Sequence, residues 1–506
     1  MAARRECLMG IDLGTTAVKV GLFDAATGEA LAVARHEYAT TSPAPGWVEL
    51  EAETYWQAAV AATRQAVELA ARPQVVAIGI SSQGQTFVPL DERLRPLRRA
   101  IVWLDTRAAE QADYLRSVLE PREFQRRTGH AFPSAIDSAS KILWMRQNEP
   151  QVWELTRYLV LVPDYVGLRL TGERRLDINN AVSTAMVDQT TDDWWREALS
   201  AVGVSAAWLS PIGRPGEAVG PLRAHAAEEL GLAAGIPVIL GSNDQLTGAV
   251  GVGNVKPGMA SGTIGTAMAI VGTTDHVAPG APAGLPHGPH PVAGLLYLLS
   301  YAKTSGVVLT WLRDVAAAGA GYEELLAQAA QVPLGSDGLV CLPHFSGTAT
   351  PMFRSDVRGG FLGLSLGHGR AHLVRAIAEA ACFLARDALS LMAQAGQPVA
   401  ELRMLGGATQ SDFWMQMLAD AVGLRIEIPA CGEAAVLGAA ICAGAGAGKL
   451  ASIAQGAERF YRPARCFCPR AETAGRYDEA YAAYREAMER IYPGALGASS
   501  DGEGKS

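Results

Sequence analysis

Gly10-Ile11-Asp12-Leu13-Gly14-Thr15-Thr16 and, much later in the chain, Ser261-Gly262-Thr263-Ile264-Gly265-Thr266 are the stretches on which the reading of this sequence turns. Each is a glycine-and-threonine turn set between β-type runs. Glycine lets the backbone bend tightly and approach an anion, while successive N–H groups and threonine hydroxyls donate hydrogen bonds to phosphate oxygens. The Asp12 carboxylate adds a place for magnesium, directly or through water. One such turn alone is as readily a plain hairpin. Two of them in matching contexts point to a single nucleotide gripped by both. Neither is a Walker loop, because no Gly-Lys-Ser/Thr follows.

Outward from the first turn, residues 8–11, 18–24 and 30–38 are short β-rich runs separated by turn residues, which predicts an antiparallel meander. A helix follows, with Thr54, Trp56, Val60, Thr63, Val67 and Ala70 near one face. Residues 75–81 read as a buried strand that ends in the polar cluster Ser81-Ser82-Gln83-Gly84-Gln85-Thr86. In α/β proteins ligands commonly sit just beyond such strand ends. A second polar cluster, Trp103-Leu104-Asp105-Thr106-Arg107, follows another apolar strand, and residues 111–208 are mostly helical in pattern. The apolar run 236–241 then delivers Ser242-Asn243-Asp244-Gln245 before the glycine-rich 248–258.

The domain boundary is placed near residue 250, because the second turn opens a new series of β runs resembling the first. The repeat is one of topology, not of sequence. Two domains, 7–248 and 249–493, and a polar, disordered tail, 494–506, are expected. In the second half, 338–342 and 401–405 read as strands and 372–393 and 413–422 as helices. The 401–405 strand ends in Gly406-Gly407-Ala408-Thr409-Gln410-Ser411. The alanine- and glycine-rich run 434–448 reads as a tightly packed helix. A last helix carries Tyr477, Tyr481, Tyr484, Met488 and Ile491 at core-packing spacing.

Composition sets the outer bounds. A chain of 506 residues exceeds what one hydrophobic core usually supports. Its 49% hydrophobic and 19% charged content is that of a soluble globular protein. A formal charge of −8 argues against a surface made for nucleic acid or anionic membrane. The apolar stretch after Arg4 and Arg5 is interrupted at Asp12 and again by Gly14-Thr15-Thr16, so it cannot serve as a signal-peptide core, and a cytoplasmic location is expected. The 434–448 run is too short to span a bilayer. Cys466 and Cys468 lack the spacer and second pair of a zinc site, and the cysteines read as reduced structural thiols. His287 and His290 fall in a Pro/Gly segment, 278–294, that reads as a loop.

The motifs Ile11 to Thr16, Gly241 to Gln245, Gly262 to Thr266 and Gly406 to Ser411 resemble, in order, those of the FGGY carbohydrate kinases. Ile101 to Ala108, Leu342-Pro343 through Thr350-Pro351, and Gly359 to Leu364 agree as well. The resemblance runs from about residue 8 to residue 450. It implies an α/β fold of two domains related by pseudo-symmetry, like hexokinase, actin and the heat-shock-chaperone ATPases, with nucleotide in the interdomain cleft. It also implies ATP and Mg2+ as cofactors and a small sugar or polyol as partner, and it leaves room for a homodimer.

By the same resemblance Asp244 is the catalytic base, where the residues alone also allow a helix N-cap. A positioned carboxylate is what a hydroxyl needs to lose its proton as phosphoryl transfer proceeds. Gln245 is then expected to bind substrate hydroxyls, and Asp12 to hold magnesium through water. Gly14, Thr15, Thr16, Gly262 and Thr263 are expected to cradle the phosphates. Gly306, Thr310, Gly407, Ala408 and Ser411 fall to the adenosine side.

The acceptor is read from the polar clusters, with Gln83, Gly84, Gln85, Trp103 and Asp105 as the expected substrate wall. Glycerol kinases resemble the chain at Pro45-Gly46-Trp47-Val48-Glu49 but carry Arg-Glu where this sequence has Gly84-Gln85. Xylulose kinases resemble it through Trp103 to Arg107 and residues 342–364, but usually show Gln-Met-His-Gly in place of Gln83-Gly84-Gln85-Thr86. Here Gln85, which can donate and accept, replaces the histidine. Thr348-Ala349 also stands where the family has Glu-Arg before Thr-Pro. The reading is therefore ATP-dependent phosphorylation of a ketopentose, D-xylulose first, with ribulose, erythritol or glycerol as alternatives. An actin- or chaperone-type ATPase switch and a catalytically silent sugar sensor are the rivals from other classes.

Overall fold

The computed structural model describes residues 5–496, so the tail expected at 494–506 lies, beyond Leu496, outside the described residues. The N-terminal runs form the expected meander. Strands Glu6–Leu13, Ala17–Asp24 and Ala30–Glu37 pair antiparallel in sequence. Glu6–Leu13 then pairs in parallel with Gln74–Ser82, and that strand in parallel with Pro237–Asn243. Ala218–Pro221 closes the edge antiparallel. Every residue of Glu6–Leu13 after Glu6 is buried, as a central strand covered on both faces requires.

The second half repeats this scheme. Met259–Ile264, Met268–Thr274 and Leu296–Ala302 form an antiparallel meander. The first of them pairs in parallel with Glu401–Leu405, which pairs in parallel with Ile426–Pro429. Pro463–Phe467 closes that edge antiparallel. The meander and the two parallel strands recur, but the edges differ: the closing strand precedes its partner in the first sheet and follows it in the second, and the second sheet adds the strand His287–Pro289.

The chain divides into two compact units. One holds the described residues through Val255 together with Gly288–Leu295 and Glu433–Tyr461; the other holds Lys256–His287, Leu296–Gly432 and the described residues from Arg462. A single cut near residue 250 therefore misses the late segment Glu433–Tyr461. Its helix Ala434–Gly446 belongs to the first unit for a steric reason. A Cβ on Gly10 would stand 1.9 Å from the Val436 carbonyl oxygen, and one on Gly438 1.8 Å from that of Thr247. Such approaches admit only glycine, so the helix seats directly on the central strand and on the helix Asp244–Gly251.

Helix Ala52–Leu69 buries Tyr55, Trp56, Ala59, Ala62, Thr63 and Ala66. This face is rotated from the expected one, leaving Thr54, Val60, Val67 and Ala70 half-buried at its margin. Small alanines, which carry little weight in a hydrophobic pattern, let the helix pack closely. The helical stretch after residue 108 builds its own core around Phe124, Ile142, Leu143, Met186 and Trp195. The second unit's core is organised by the long helix Arg370–Gln394, to which Ala474–Ile491 contributes Tyr477, Tyr484 and Met488, while Ile491 stays exposed.

The segment 278–294 is not only loop. It contains the strand His287–Pro289, and His290 is buried, with burial holding its imidazole down at about 3. Among the described residues no helix is long and apolar enough to cross a membrane. No disulfide joins cysteines among the described residues.

Candidate functional site

In the first unit the chemistry gathers at the carboxyl ends of three adjacent parallel strands. Register sets Asp12 beside Ser81 and Ser82 beside Asn243. Asp244 follows as the first residue of the helix Asp244–Gly251. The N-cap of this helix is Asn243, whose Oδ1 accepts from the Gln245 N–H at 3.1 Å. Asp244 Oδ1 accepts from the same N–H at 2.7 Å. Burial pushes the half-buried Asp244 carboxyl up to about 7, the nearby Asp12 charge adds to the shift, and the Gln245 N–H opposes it.

Asp12 is itself raised, chiefly by burial. Ser81 Oγ donates to its Oδ1 at 2.8 Å and shares a 2.7 Å hydrogen bond with Thr247 Oγ1, a residue of the Asp244 helix. The Lys19 charge opposes the shift and that of Glu433 adds to it, these two being paired at 2.6 Å.

The first turn is held from three sides. Tyr38 Oη and Gln83 Nε2 both donate to the Gly14 carbonyl, at 2.5 and 3.0 Å. The Trp103 indole donates to Thr15 Oγ1 at 2.8 Å. Thr16 is exposed at the tip.

Gln83 is buried, and its amide is consumed locally. Nε2 also donates to Tyr55 Oη, and Oε1 accepts from Thr86 Oγ1. It braces the turn instead of offering an open wall. Gly84 is close-packed, for a Cβ there would meet Ser183 Oγ at 2.7 Å. Gln85 adopts the left-handed region at φ 63°. Gln245 is exposed.

Asp105 does not join this group. It is fully buried, and both its oxygens are occupied: Oδ2 accepts from the Val48 N–H at 2.6 Å, and the Arg107 guanidinium donates to both. Arg107 also pairs with Glu49 and stacks 3.7 Å over Trp47. The expected substrate contact is a buried structural brace, with no lone pair facing outward in the way a ligand site needs.

In the second unit a cavity of about 830 Å³ is lined by Gly306, Thr310, Gly407, Ala408 and Ser411, together with Gly265 and Thr266 of the second turn. Gly262 and Thr263 lie instead in the strand beneath the turn. The helix Gly306–Ala316 docks on that turn, its Gly306 N–H donating to the Gly265 carbonyl at 2.8 Å. Gly406, at φ 90°, has room only for hydrogen, because a Cβ would reach 2.7 Å from the Ile264 carbonyl oxygen. Ser411 caps Asp412–Val422 by accepting from the Trp414 N–H. Tyr322, Gln410 and Phe413 also line the cavity and escaped the sequence reading. The amphipathic helix Tyr322–Ala329 was the available signal for the first of them.

Asp137, Lys141 and Ser183, which surround Gln85, escaped it too. A lysine inside the otherwise buried first two turns of Ser138–Asn148 was the sign that could have found them.

Comparison with known proteins agrees with this geometry. Residues 7–251 match the FGGY family of carbohydrate kinases, N-terminal domain, and residues 259–447 match its C-terminal domain. A xylulose kinase of Bacillus subtilis strain 168 is 29% identical over 488 residues, covering 94% of this chain and 96% of that protein. An autoinducer-2 kinase of Salmonella paratyphi B is 29% identical over 509 residues, covering 96% and 94%. The crystal structure of xylulose kinase from Rhodospirillum rubrum superposes with a TM-score of 0.90 at 28% identity, covering 97% of this chain and 99% of that one. With both domain models matched in order along a fold of the same topology, the chain belongs to the FGGY family of carbohydrate kinases.

Proposed function

We propose that this carbohydrate kinase phosphorylates a hydroxyl of a ketopentose, D-xylulose first, and that Asp244 is the base. The observation that carries the reading is Asp244 itself. It opens a helix at the carboxyl end of a central parallel strand, beside a second carboxylate, with its carboxyl raised to about 7. A base poised near neutrality is about half ionised there and is still basic enough to take a hydroxyl proton.

ATP, when bound, supplies the phosphoryl group. The residues suit it: the second-unit cavity offers a glycine-lined floor at Gly407 and Ala408 and an aromatic wall at Tyr322 and Phe413 for adenosine. Thr15 and Thr16 offer hydroxyls and Gly14 a backbone turn to phosphate oxygens. For magnesium, the described residues contain no cage of three or more His, Cys, Asp or Glu. The Asp12 carboxylate suits a hard cation that keeps water and phosphate oxygens as its other ligands. On the sugar side Gln85 and Gln245 remain as hydroxyl-binding candidates; Trp103, whose only side-chain N–H donates to Thr15 Oγ1, offers its ring alone as a wall, and Asp105 is reassigned to bracing the Trp103 loop.

D-Xylulose is favoured by the full-length similarity to xylulose kinases. The equally similar autoinducer-2 kinase makes its acceptor the first competitor. The deciding experiment is coupled ATP turnover against D-xylulose, D- and L-ribulose, L-xylulose, erythritol, xylitol, glycerol, gluconate and autoinducer-2. Strong stimulation by D-xylulose is expected, and Asp244→Asn is expected to lose most turnover, by about 10²-fold or more, while still binding nucleotide. Sugar-independent turnover, or an unimpaired Asp244→Asn enzyme, would overturn the reading.

A further inference from the structure

The loop that carries Gln85 rests on the start of the helix Ser138–Asn148, and that contact is unusual in its chemistry. Lys141 is 0% exposed. Its Nζ donates to the carbonyls of Gln85 at 3.0 Å and of Val102 at 3.2 Å. A lysine so placed is costly to charge, yet as a neutral amine it keeps two N–H donors, equal in number to these two acceptors.

Ser138 Oγ adds a second bond to the Gln85 carbonyl at 2.9 Å, and Ser183 Oγ accepts from the Gln85 N–H at 3.2 Å. These partners hold a non-glycine residue in the left-handed region, where a side chain does not rest unaided. Asp137, 2% exposed, accepts from Gln85 Nε2 at 3.1 Å and from the Ser134 N–H at 2.8 Å. A carboxylate accepts only, so the amide nitrogen must face Asp137. Oε1 is then the single polar atom of Gln85 without a hydrogen bond to the described protein.

We infer that Asp137 and Lys141 are positioning residues that fix Gln85 as a hydrogen-bond acceptor for one hydroxyl of the alcohol substrate, and so set which acceptor is chosen. The inference rests on the kinase reading above, with the acceptor bound beside Gln85. A fixed acceptor accepts from a hydroxyl at one place and leaves a misplaced one unpaired, which is how polar sites discriminate. With Asn at position 137 the Gln85 amide can turn over and present NH2 instead. With Met at position 141 the loop loses the donor that holds its backbone.

The test measures kcat and KM for the acceptor panel and for ATP in full-length Asp137→Asn, Lys141→Met and Gln85→Leu enzymes. Thermal melting with and without ATP checks folding. For Asp137→Asn the acceptor KM should rise by about tenfold, with ATP KM within about twofold of wild type, and the preference between the two best acceptors should shrink. Gln85→Leu should do the same, and adding Asp137→Asn to it should cost nothing further, since both act through one atom.

Unchanged acceptor KM and ranking in Asp137→Asn, or additive losses in the double variant, would overturn the inference while leaving the kinase reading intact. A wild-type enzyme that no acceptor stimulates removes both. If Lys141→Met does not fold, Ser138→Ala tests the same carbonyl and should raise acceptor KM alone; no change there also counts against the proposal.

Discussion

Asp244 shows what one residue can carry. Its carboxyl is raised because burial strips water from the charged form and because Asp12 lies near with like charge. The expected consequence is an acid limb in the pH profile. With saturating ATP, kcat/KM for the acceptor should fall about tenfold per pH unit below about 7 and level off above it. A profile flat down to pH 5 would remove Asp244 as the titrating base.

Lys141 gives a second pH signature, this time in stability. Its amine is lowered from 10.5 to about 7, so between those values the unfolded chain binds a proton that the folded chain does not. Its contribution to stability therefore grows as pH rises from about 7 toward 10.5 and is lost as pH falls through the folded value. Melting temperatures of wild type and Lys141→Met across this window should diverge in slope, the variant lacking that rise.

At the scale of elements, the seam between Ala434–Gly446 and Asp244–Gly251 positions Asp244. Gly438 meets the Thr247 carbonyl, and Gly251 meets that of Ala434 at 1.9 Å from where a Cβ would stand. Gly438→Ala should destabilise the protein by about 1–3 kcal/mol in denaturant melts and lower turnover, because the helix that begins at Asp244 must move to admit the methyl group. Gly475→Ala is the control. Nothing lies within 4 Å of its added Cβ, and a residue in the helix Ala474–Ile491 should gain up to about 1 kcal/mol. Equal effects from both substitutions would mean the seam is not tightly packed.

For the whole molecule the consequence is that the first unit is not made by the first half of the chain alone. Its sheet carries glycine notches at Gly10 and Gly79 that are filled by the backbone of a helix drawn from Glu433–Tyr461. A chain ending at Gly432 should therefore lose the cooperative melting of the first unit as well, and limited proteolysis should attack it within the N-terminal 255 residues. Undiminished protease resistance there would show that the late helix is dispensable.

The two turns, the meander that starts each half, the parallel strands ending in polar clusters, and the strand-end placement of Asp12 and Asp244 were legible because strand period, turn chemistry and strand-end position are local properties of consecutive residues. Element bounds were legible in the same way, as at the strand 401–405 and the helix 413–422, although the buried face of Ala52–Leu69 was not, since alanine reads as weakly apolar until something packs against it. What only the tertiary structure decided is which polar side chains remain available. Asp105 and Gln83 looked like a substrate wall in sequence but have their hydrogen bonds consumed by Arg107, Val48, Tyr55 and Gly14. Lys141 and Asp137 looked ordinary but close on Gln85 from more than fifty residues away. The physical reason is that saturation of a donor or acceptor is fixed by segments that meet only when the chain folds, and no pattern along one strand or helix records that meeting.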